Sequence, residues 1–258
     1  MCGRYASSRS PDDLVEAFEI DRVDEGVSLE PDYNVAPTKD VFTVLTRVSK
    51  TSSEPVRRLR IARWGLVPFW AKDPAVGNRM INARVETLAE KPAFRRAFES
   101  RRALLPADGY YEWYTTGQRT SGNKPVKQPF FIRPADGSGL AMAGLYEIWR
   151  DKTVADPDAP GAFLWSVTII TTSAEDSLGR IHDRMPMLIE RDRYAEWLDP
   201  SLSDHERLAS LLVPAAPGRL EAYPVSREVN SVVNNGAQLI EPLPLTERTD
   251  LADLQPAD

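Results

Sequence analysis

The sequence predicts an α+β fold, because short strand-like runs outnumber the segments with helical periodicity. The runs are rich in Val, Ile, Thr and aromatic residues, and Gly, Pro or polar residues bound them. At 258 residues, 42% of them hydrophobic, the chain suits one large domain or two small ones. No internal repeat and no boundary strong enough to divide the chain is found, so one domain is expected.

The first part of the chain is predicted to hold one helix followed by two strands. Residues 10–13 read Ser-Pro-Asp-Asp, which supplies a capping hydroxyl, a proline in the first turn and two acids. Segment 31–38 is predicted to be an extended loop, because residues before proline avoid the helical region. Segments 41–48 and 59–66 are rich in β-branched and apolar residues, which predicts strands.

The remaining elements follow from the same patterns. Helices are predicted at 92–100, 190–198 and 203–212, the last with Ser203 and Glu206 as a capping box. Strands are predicted at 103–106, 110–114, 128–133, 140–146, 163–171 and 220–225. Polar composition predicts loops at 115–127 and 151–161, an irregular Asn-rich segment at 229–238 and a disordered acidic tail at 244–258.

Composition argues against several classes of protein. With one cysteine and two histidines, neither a structural zinc site nor an internal disulfide framework is expected, and a reducing cytosol fits. The sequence has no run of eighteen apolar residues and no basic-then-apolar leader, so we expect neither a membrane span nor a signal peptide.

Charge is distributed unevenly along the chain. The net charge is −6, yet residues 57–102 carry twelve Lys or Arg against four Asp or Glu, a local net charge of +8. A basic block in an acidic chain is typical of a phosphate-binding face. Ordinary solvent-exposed surfaces, on which nearby acidic residues balance these Lys and Arg side chains, explain the local positive charge equally well.

The first five residues carry unusual chemistry. Cys2 is the only cysteine, and it becomes the N-terminus when Met1 is removed. An α-amine titrates at about 7.7–8.0 and a thiol at about 8.5, so both nucleophiles are partly available near neutrality. Such a 1,2-aminothiol adds to an aldehyde, loses water to give an imine and closes a thiazolidine ring. A cysteine at this position is more often incidental, but Gly3 permits close backbone approach and Arg4 offers a planar cation for phosphate.

Two further side chains are candidates for proton transfer. Glu112 lies in a run of aromatic residues, where burial raises a carboxyl pKa and suits it to general acid–base catalysis. A glutamate paired with an arginine on a sheet face is the more common alternative. His182 titrates nearest to neutrality and can shuttle a proton. A structural histidine is its ordinary alternative.

Polar and aromatic residues in or near the basic block are candidates for contacts with nucleic acid. Asn82 and Arg84 alternate, so they share one side of an extended segment, with the amide placed to orient an oxygen and Arg84 to bind phosphate. Trp70 and Trp113 are candidates for stacking on bases. Core packing is the ordinary alternative for any aromatic residue.

Together these motifs resemble the SRAP family of abasic-site processing proteins. The matching segments are 1–5, 33–38, 64–70, 82–87, 108–113, 127–130, 182–186 and 225–230, in family order. Each is short, but eight in order make a specific pattern. The loops at 115–127 and 151–161 are longer than is usual for the family.

The resemblance implies a single SRAP-type domain at 1–243, with a twisted antiparallel, barrel-like β core, flanking helices and a groove for single-stranded DNA. It implies that Cys2 forms a thiazolidine with the ring-opened aldehyde of an abasic site, assisted by Asn82, Glu112 and His182. Phosphate contacts are implied for Arg4, Arg84 and Arg184. The family is also described as self-processing, hence its peptidase label. Some members act as lyases by β-elimination, and a role in the DNA-damage (SOS) response is implied by kinship.

We therefore expect a cytoplasmic monomer, associated with the nucleoid when bound to DNA, that needs no metal, cofactor or membrane. Two other functions stay open from the residues alone. One is a cysteine hydrolase whose N-terminal amine serves as base for the thiol, and the other is a non-covalent single-strand binding module. A DNA adduct that depends on Cys2 distinguishes the first hypothesis from both.

Overall fold

The structure is a computed structural model that describes residues 2–48, 54–174, 176–247 and 254. Its strands are β1 (Tyr5–Ser7), β2 (Arg22–Val23), β3 (Asp32–Val35), β4 (Asp40–Val48), β5 (Pro55–Trp64), β6 (Asn82–Arg84), β7 (Arg102–Ala107), β8 (Gly109–Arg119), β9 (Pro125–Pro134), β10 (Leu140–Arg150), β11 (Phe163–Ser173), β12 (Arg184–Pro186) and β13 (Leu220–Pro224). Its helices are α1 (Pro11–Phe18), α2 (Arg95–Ser100), α3 (Tyr194–Leu198) and α4 (His205–Leu211). The predicted β-rich α+β fold is confirmed.

The larger sheet closes into a barrel. Its strands run in the order β12-β11-β10-β7-β4-β5-β2, and β5 also pairs with β11, so β11, β10, β7, β4 and β5 form a ring. Four pairs of this ring are antiparallel and the β5–β11 pair is parallel. A ring with an odd number of strands cannot alternate direction throughout, so one parallel pair is unavoidable. The predicted antiparallel, barrel-like core therefore holds for four of the five pairs of the ring. Outside the ring, the short strands β2 and β6 also pair in parallel, with β5 and β11.

A second, five-stranded sheet in the order β13-β9-β8-β1-β3 brings the N-terminus into the molecule. The short strand β1 lies between β8 and β3, with Tyr5 opposite both Tyr110 and Val35. Strand β6 adds to the larger sheet beside β11, with Asn82 opposite Ile169. This topology places the segment before β1 against residues that are distant in sequence.

Two large apolar clusters lie on opposite faces of the barrel strands, because successive side chains of a strand alternate in direction. One includes Leu45, Leu105 and Val167 together with Cys2. The other includes Leu104 and the helix residues that cover the barrel, such as Leu14, Phe18, Trp197 and Leu208.

Arg102 fastens the helices to the barrel. Its side chain is buried, and its guanidinium donates to the carbonyl oxygens of Trp197 at 2.6 Å, Phe98 at 2.8 Å and Leu202 at 3.0 Å. Burial lowers the pKa of Arg102 to about 10, which still leaves it charged at neutral pH.

Replacement of Arg102 by Met is therefore expected to lower the free energy of unfolding by roughly 3 kcal/mol, because several buried carbonyls lose their donor. Urea unfolding followed by circular dichroism measures the change. Arg22→Met, at an exposed position on β2, is the matched control and should change stability by no more than about 0.5 kcal/mol. Equal stability of the two variants would contradict this role.

The helix starts show where local signals suffice and where they fail. The predicted capping hydroxyl of Ser10 is confirmed, and Asp13 completes a capping box with it at the start of α1. The predicted capping box of Ser203 and Glu206 is wrong. The cap is Asp204, one residue later, whose side chain accepts from the Arg207 amide at 2.8 Å, because Asp caps a helix as well as Ser does. Helix α4 therefore begins at His205, two residues after the predicted start at 203. Helices α2 and α3 begin later than predicted, at Arg95 and Tyr194.

The prediction of a loop at 115–127 is wrong over most of its length. Strands β8 and β9 continue through it as a hairpin, pairing Thr115 with Lys127 and Arg119 with Pro125. The strands are polar here because both faces of the ribbon meet solvent, which hides the alternation that marks a half-buried strand. The loop predicted at 151–161 joins β10 to β11 without helix or strand.

Near the C-terminus, the irregular segment holds short 3₁₀ turns at Arg227–Asn230 and Ala237–Ile240. Most of the predicted disordered tail lies outside the described residues. Within it, Leu254 is buried in the same apolar cluster as Cys2. Within the described ranges, no helix combines the length and apolar character needed to cross a membrane.

Candidate functional site

Cys2 lies inside the protein, ahead of β1. Its side chain is completely buried in the apolar cluster that also contains Tyr5, Trp64 and Tyr110. Burial, and then the negative charge of Glu112, raise the pKa of the Cys2 thiol. The thiol is therefore protonated at neutral pH and needs a proton acceptor before it can attack carbon.

Asn82 holds the backbone of Cys2. Strand β6 places its amide so that Nδ2 donates to the carbonyl oxygen of Cys2 at 2.9 Å. The other end of the amide, Oδ1, is buried and accepts no hydrogen bond from any described residue. A buried acceptor of this kind is costly unless a donor reaches it, so the position favours binding of an N–H or O–H group.

Glu112 supplies a carboxyl group whose proton is labile near neutrality. It lies on β8 with 3% of its surface exposed. Burial raises the pKa of Glu112 to about 7, and the charge of Asp183 acts in the same direction. The negative charge of Glu112 also raises the pKa of the Cys2 thiol, so the protonation state of Glu112 affects the thiol.

His182 stands just before β12 and is half-buried. Its Nδ1 accepts from the backbone N–H of Arg184 at 3.0 Å, while an Asp183 carboxylate oxygen lies 2.8 Å from the same nitrogen. The amide favours a neutral ring and the carboxylate favours a protonated one. Burial decides between them, because it lowers the pKa of His182. The neutral ring then carries its proton on Nε2.

The charges of Lys127 and Asp183 act on the pKa of both Glu112 and His182. Lys127 lowers the pKa of both groups, and Asp183 raises the pKa of both. The two proton-transfer candidates therefore share one electrostatic environment. Asn82 therefore contacts Cys2 directly, Glu112 acts on the Cys2 thiol through its charge, and His182 shares two charged neighbours with Glu112.

Arg4 is anchored within the protein. Its Nη1 donates to Asn34 Oδ1 at 2.5 Å and to the Val229 carbonyl oxygen at 2.9 Å, and its guanidinium lies 5.7 Å from the ring centre of Trp113. Trp113 in turn donates from Nε1 to Asn230 Oδ1 at 2.7 Å. Arg4 and Trp113 are therefore fixed to the C-terminal segment, which limits the donors that remain for a phosphate.

The other two arginines differ in availability. Arg84 is exposed at the end of β6. Arg184 donates to both carboxylate oxygens of Glu86, at 2.6 and 3.1 Å, and to the Thr171 carbonyl oxygen at 2.7 Å. This pairing lowers the pKa of Glu86. A phosphate that reaches Arg184 has to share the guanidinium with Glu86 or replace it.

The tryptophans fall into two groups. Trp70 is 53% exposed, so its ring is open to stacking. Trp64 is buried and donates from Nε1 to the Ile81 carbonyl, so it belongs to the core. The backbone just after Trp64 packs closely against Gly77. A Cβ on Gly65, which has φ of 131°, would lie 2.6 Å from the Gly77 oxygen, and a Cβ on Gly77 would lie 2.5 Å from the Gly65 oxygen, so both positions require glycine.

Four contributors were not identified from the sequence, namely Asn34, Glu86, Lys127 and Asp183. Each lies in a segment that matches the family pattern. The contacts of Asn34 and Glu86 and the electrostatic effects of Lys127 involve residues far away in the chain, whereas Asp183 also lies against its neighbour His182. Within the described part of the chain, no group of three or more His, Cys, Asp or Glu side chains is placed to hold a metal ion.

Comparison with known proteins gives a consistent result. A family model described as SOS response associated peptidase (SRAP) matches residues 1–232. Abasic site processing protein YoaM of Bacillus subtilis is 40% identical, covering 93% of this chain and 98% of the relative. YedK of Escherichia coli, of the same description, is 34% identical over 94% of this chain and 100% of the relative. HMCES of Xenopus tropicalis, also so described, is 29% identical over 96% of this chain and 80% of the relative.

A similar solved structure is the crystal structure of a protein from Bacteroides thetaiotaomicron. It superposes with a TM-score of 0.77 at 25% sequence identity and covers 94% of this chain and 100% of that one. The barrel and its added sheet therefore form a fold that has been seen experimentally.

Proposed function

Because the chain belongs to the SOS response associated peptidase (SRAP) family, we propose that it captures abasic sites in single-stranded DNA through a covalent bond to Cys2. Relatives described as abasic site processing proteins support abasic DNA as the substrate class. The observation that carries the covalent step is the burial of Cys2 beside Glu112, with Asn82 on its carbonyl.

The reaction begins once Met1 is removed, because only then is the nitrogen of Cys2 a free amine. The amine adds to the aldehyde carbon of the ring-opened sugar to form a carbinolamine. Protonated Glu112 gives its proton to the carbinolamine hydroxyl, water leaves and an iminium ion forms. The thiol then adds to the iminium carbon and passes its proton to the Glu112 carboxylate. One carbon–nitrogen and one carbon–sulfur bond form, and one water is released.

Three residues around Cys2 are assigned roles in this reaction. Asn82 fixes the backbone of Cys2 and offers Oδ1 to the amine or to a sugar hydroxyl. His182, with its proton on Nε2, donates to the sugar oxygen that ring opening releases. Glu112 returns to its protonated form at the end, which suits a pKa of about 7.

Phosphate contacts are assigned to Arg84 and Arg184, with Arg4 as a positioning residue that also contributes positive potential. Trp70 is assigned to base stacking, and Trp113 to the wall of the groove. We further propose that the protein acts as a monomer, that its peptidase activity is confined to the removal of Met1, and that β-elimination is a slow side reaction of the iminium ion.

The proposal is tested with single-stranded DNA carrying one abasic site, made by uracil glycosylase, and with the same strand after borohydride reduction. The aldehyde-bearing strand should give a shifted band that survives denaturation, and the reduced strand should give none. Adduct formation with the reduced strand, or none with either, would overturn the covalent proposal.

Non-covalent binding is expected to weaken as salt rises, because phosphate contacts release counterions. With a strand carrying an unreactive tetrahydrofuran site, Arg84→Ala should reduce the slope of log affinity against log salt by about 0.7. Arg207→Ala, on α4, is the control and should leave the slope unchanged. A slope equal in wild type and Arg84→Ala would remove Arg84 from the interface.

A further inference from the structure

The basic block found in the sequence is divided between two places in the fold. Arg84 lies beside the reactive centre, whereas Arg60 and Arg101 lie at the opposite end of the barrel. On β5, Arg60 comes four residues before Trp64, which packs in the same apolar cluster as Cys2. Four residues of a strand span roughly 13 Å. The function proposed above therefore leaves the arginines of this far end unexplained.

Every strand of the ring directs one large polar or aromatic side chain into the barrel at this end. Leu45, Leu105 and Val167 belong to the cluster inside the barrel, and residues two or four positions away on the same strand share their face. The inward residues are Arg47 on β4, Arg60 on β5, Arg101 just before β7, Tyr146 on β10 and Trp165 on β11, called the arginine end below. The apolar side chains separate the arginine end from Cys2.

Trp165 holds two of these arginines close together. The guanidinium carbon of Arg60 lies 3.6 Å from the centre of the Trp165 ring, and that of Arg47 lies 5.2 Å from the same centre. Tyr146 stacks on the tryptophan, with 5.7 Å between the ring centres and 17° between the planes. The Arg60 side chain is 24% exposed, so a ligand in solution reaches it.

Two carboxylates balance part of the positive charge at the arginine end. Glu147 pairs with Arg101. Asp24 accepts from Arg58 at 2.7 Å and lies 3.3 Å from Arg60, so one carboxylate serves two arginines. The pairs within the described residues therefore leave an excess of positive charge beside the ring of Trp165.

Arg47 contributes to this excess. Within the described ranges it forms no ion pair with a carboxylate, and its guanidinium lies against Trp165 instead. Burial lowers the pKa of Arg60, and although Asp24 opposes this change, the charges of Arg58 and Arg47 add to it. Arginines that repel one another in this way are stabilised by an anion placed between them.

We propose that the arginine end is a second anion site, at which Arg47 and Arg60 bind a phosphate group. The planar guanidinium group presents paired N–H donors that match phosphate oxygens, and a phosphate dianion offsets the excess charge. The ring of Trp165 is already stacked against Tyr146 and Arg60, so recognition rests on the phosphate rather than on a base. Free phosphate and a small nucleotide share this chemistry. The site goes beyond the proposed function and does not depend on it.

The test is isothermal titration calorimetry of the full chain with inorganic phosphate and with deoxyadenosine monophosphate, in a buffer free of phosphate and sulfate. Arg47→Met keeps an unbranched stem against Trp165 and should weaken phosphate binding at least about tenfold, because charge-assisted donors are lost. Arg47→Lys keeps the charge without the paired donors and should weaken binding about threefold. Arg207→Gln, at an exposed position on α4, is the matched control and should bind as the wild type does.

A second measurement follows the melting temperature. Phosphate should raise that of the wild type and of Arg207→Gln, because a ligand of the folded state stabilises it. The rise should be missing in Arg47→Met. Should Arg47→Met fail to fold, Arg47→Lys carries the comparison.

The outcomes separate the arginine end from the chemistry of Cys2. Equal phosphate affinity in wild type and the Arg47 variants, or no binding of either probe to the wild type, would overturn the site. Binding of both probes supports it with free phosphate as sufficient ligand, and binding of the nucleotide alone supports it with a nucleotide as ligand. Arg47→Met should still form the abasic-site adduct at the wild-type rate, and a slower adduct would overturn the separation of the two sites.

Discussion

Replacement of Cys2 by Ala is expected to abolish the denaturation-resistant adduct, lowering its yield by at least about a thousandfold, because the nucleophile that closes the ring is removed. After Met1 removal the variant still carries an N-terminal amine. It should therefore form a reversible imine that only a reductant such as cyanoborohydride traps. Gel analysis with and without the reductant distinguishes the two bonds.

The same variant should keep its affinity for the unreactive tetrahydrofuran strand within about twofold, because a completely buried side chain offers no surface to a phosphate. An adduct formed by Cys2→Ala without reductant would show that another nucleophile is used. Hydrolysis of peptides by wild type with no DNA adduct would instead favour the cysteine hydrolase. Unchanged DNA association with no adduct in either protein would favour the simple binding module.

Replacement of Glu112 by Gln is expected to slow ring formation by about a hundredfold, because the amide cannot donate and then accept a proton. The wild-type rate should fall above pH of about 7, where Glu112 loses its proton. That decline should be missing in the variant. Single-turnover rates measured across pH test both statements.

The same substitution is expected to have the opposite effect on stability: it slows the reaction but raises the free energy of unfolding above neutral pH. The pKa of Glu112 rises from 4.5 to about 7 on folding, so the folded state binds more protons than the unfolded chain and stability falls as pH rises through that window. At pH 8, Glu112→Gln should therefore be more stable than wild type by roughly 2–3 kcal/mol, while being slower. A variant that is both slower and less stable would mean that Glu112 has a structural role.

Sequence reasoning could propose Cys2 and Glu112 as reactive residues because their signals are local. Cys2 is identified by its place in the chain and Glu112 by the aromatic residues around it. Local reasoning could not supply Asn34, whose partners lie about two hundred residues further along the chain. It also could not show that Arg184 is paired with Glu86, because that contact depends on strands β6 and β12 flanking β11.

For the fold as well, elements with a local sequence pattern were predictable, and pairings between distant strands were not. Apolar strands such as β4 and β7 carry their own pattern, and residues 10–13 define the start of α1. The hairpin extension of β8 and β9 was missed because pairing, rather than burial, stabilises it. The parallel closure between β5 and β11 was also beyond local reasoning, since it follows from the ring as a whole.

The most direct measurement is the intact mass of the adduct followed by peptide mapping of its N-terminus. The account predicts protein without Met1, joined to the strand with loss of one water and with the link at Cys2. Adduct that still carries Met1, or a link mapped to any other residue, would contradict it.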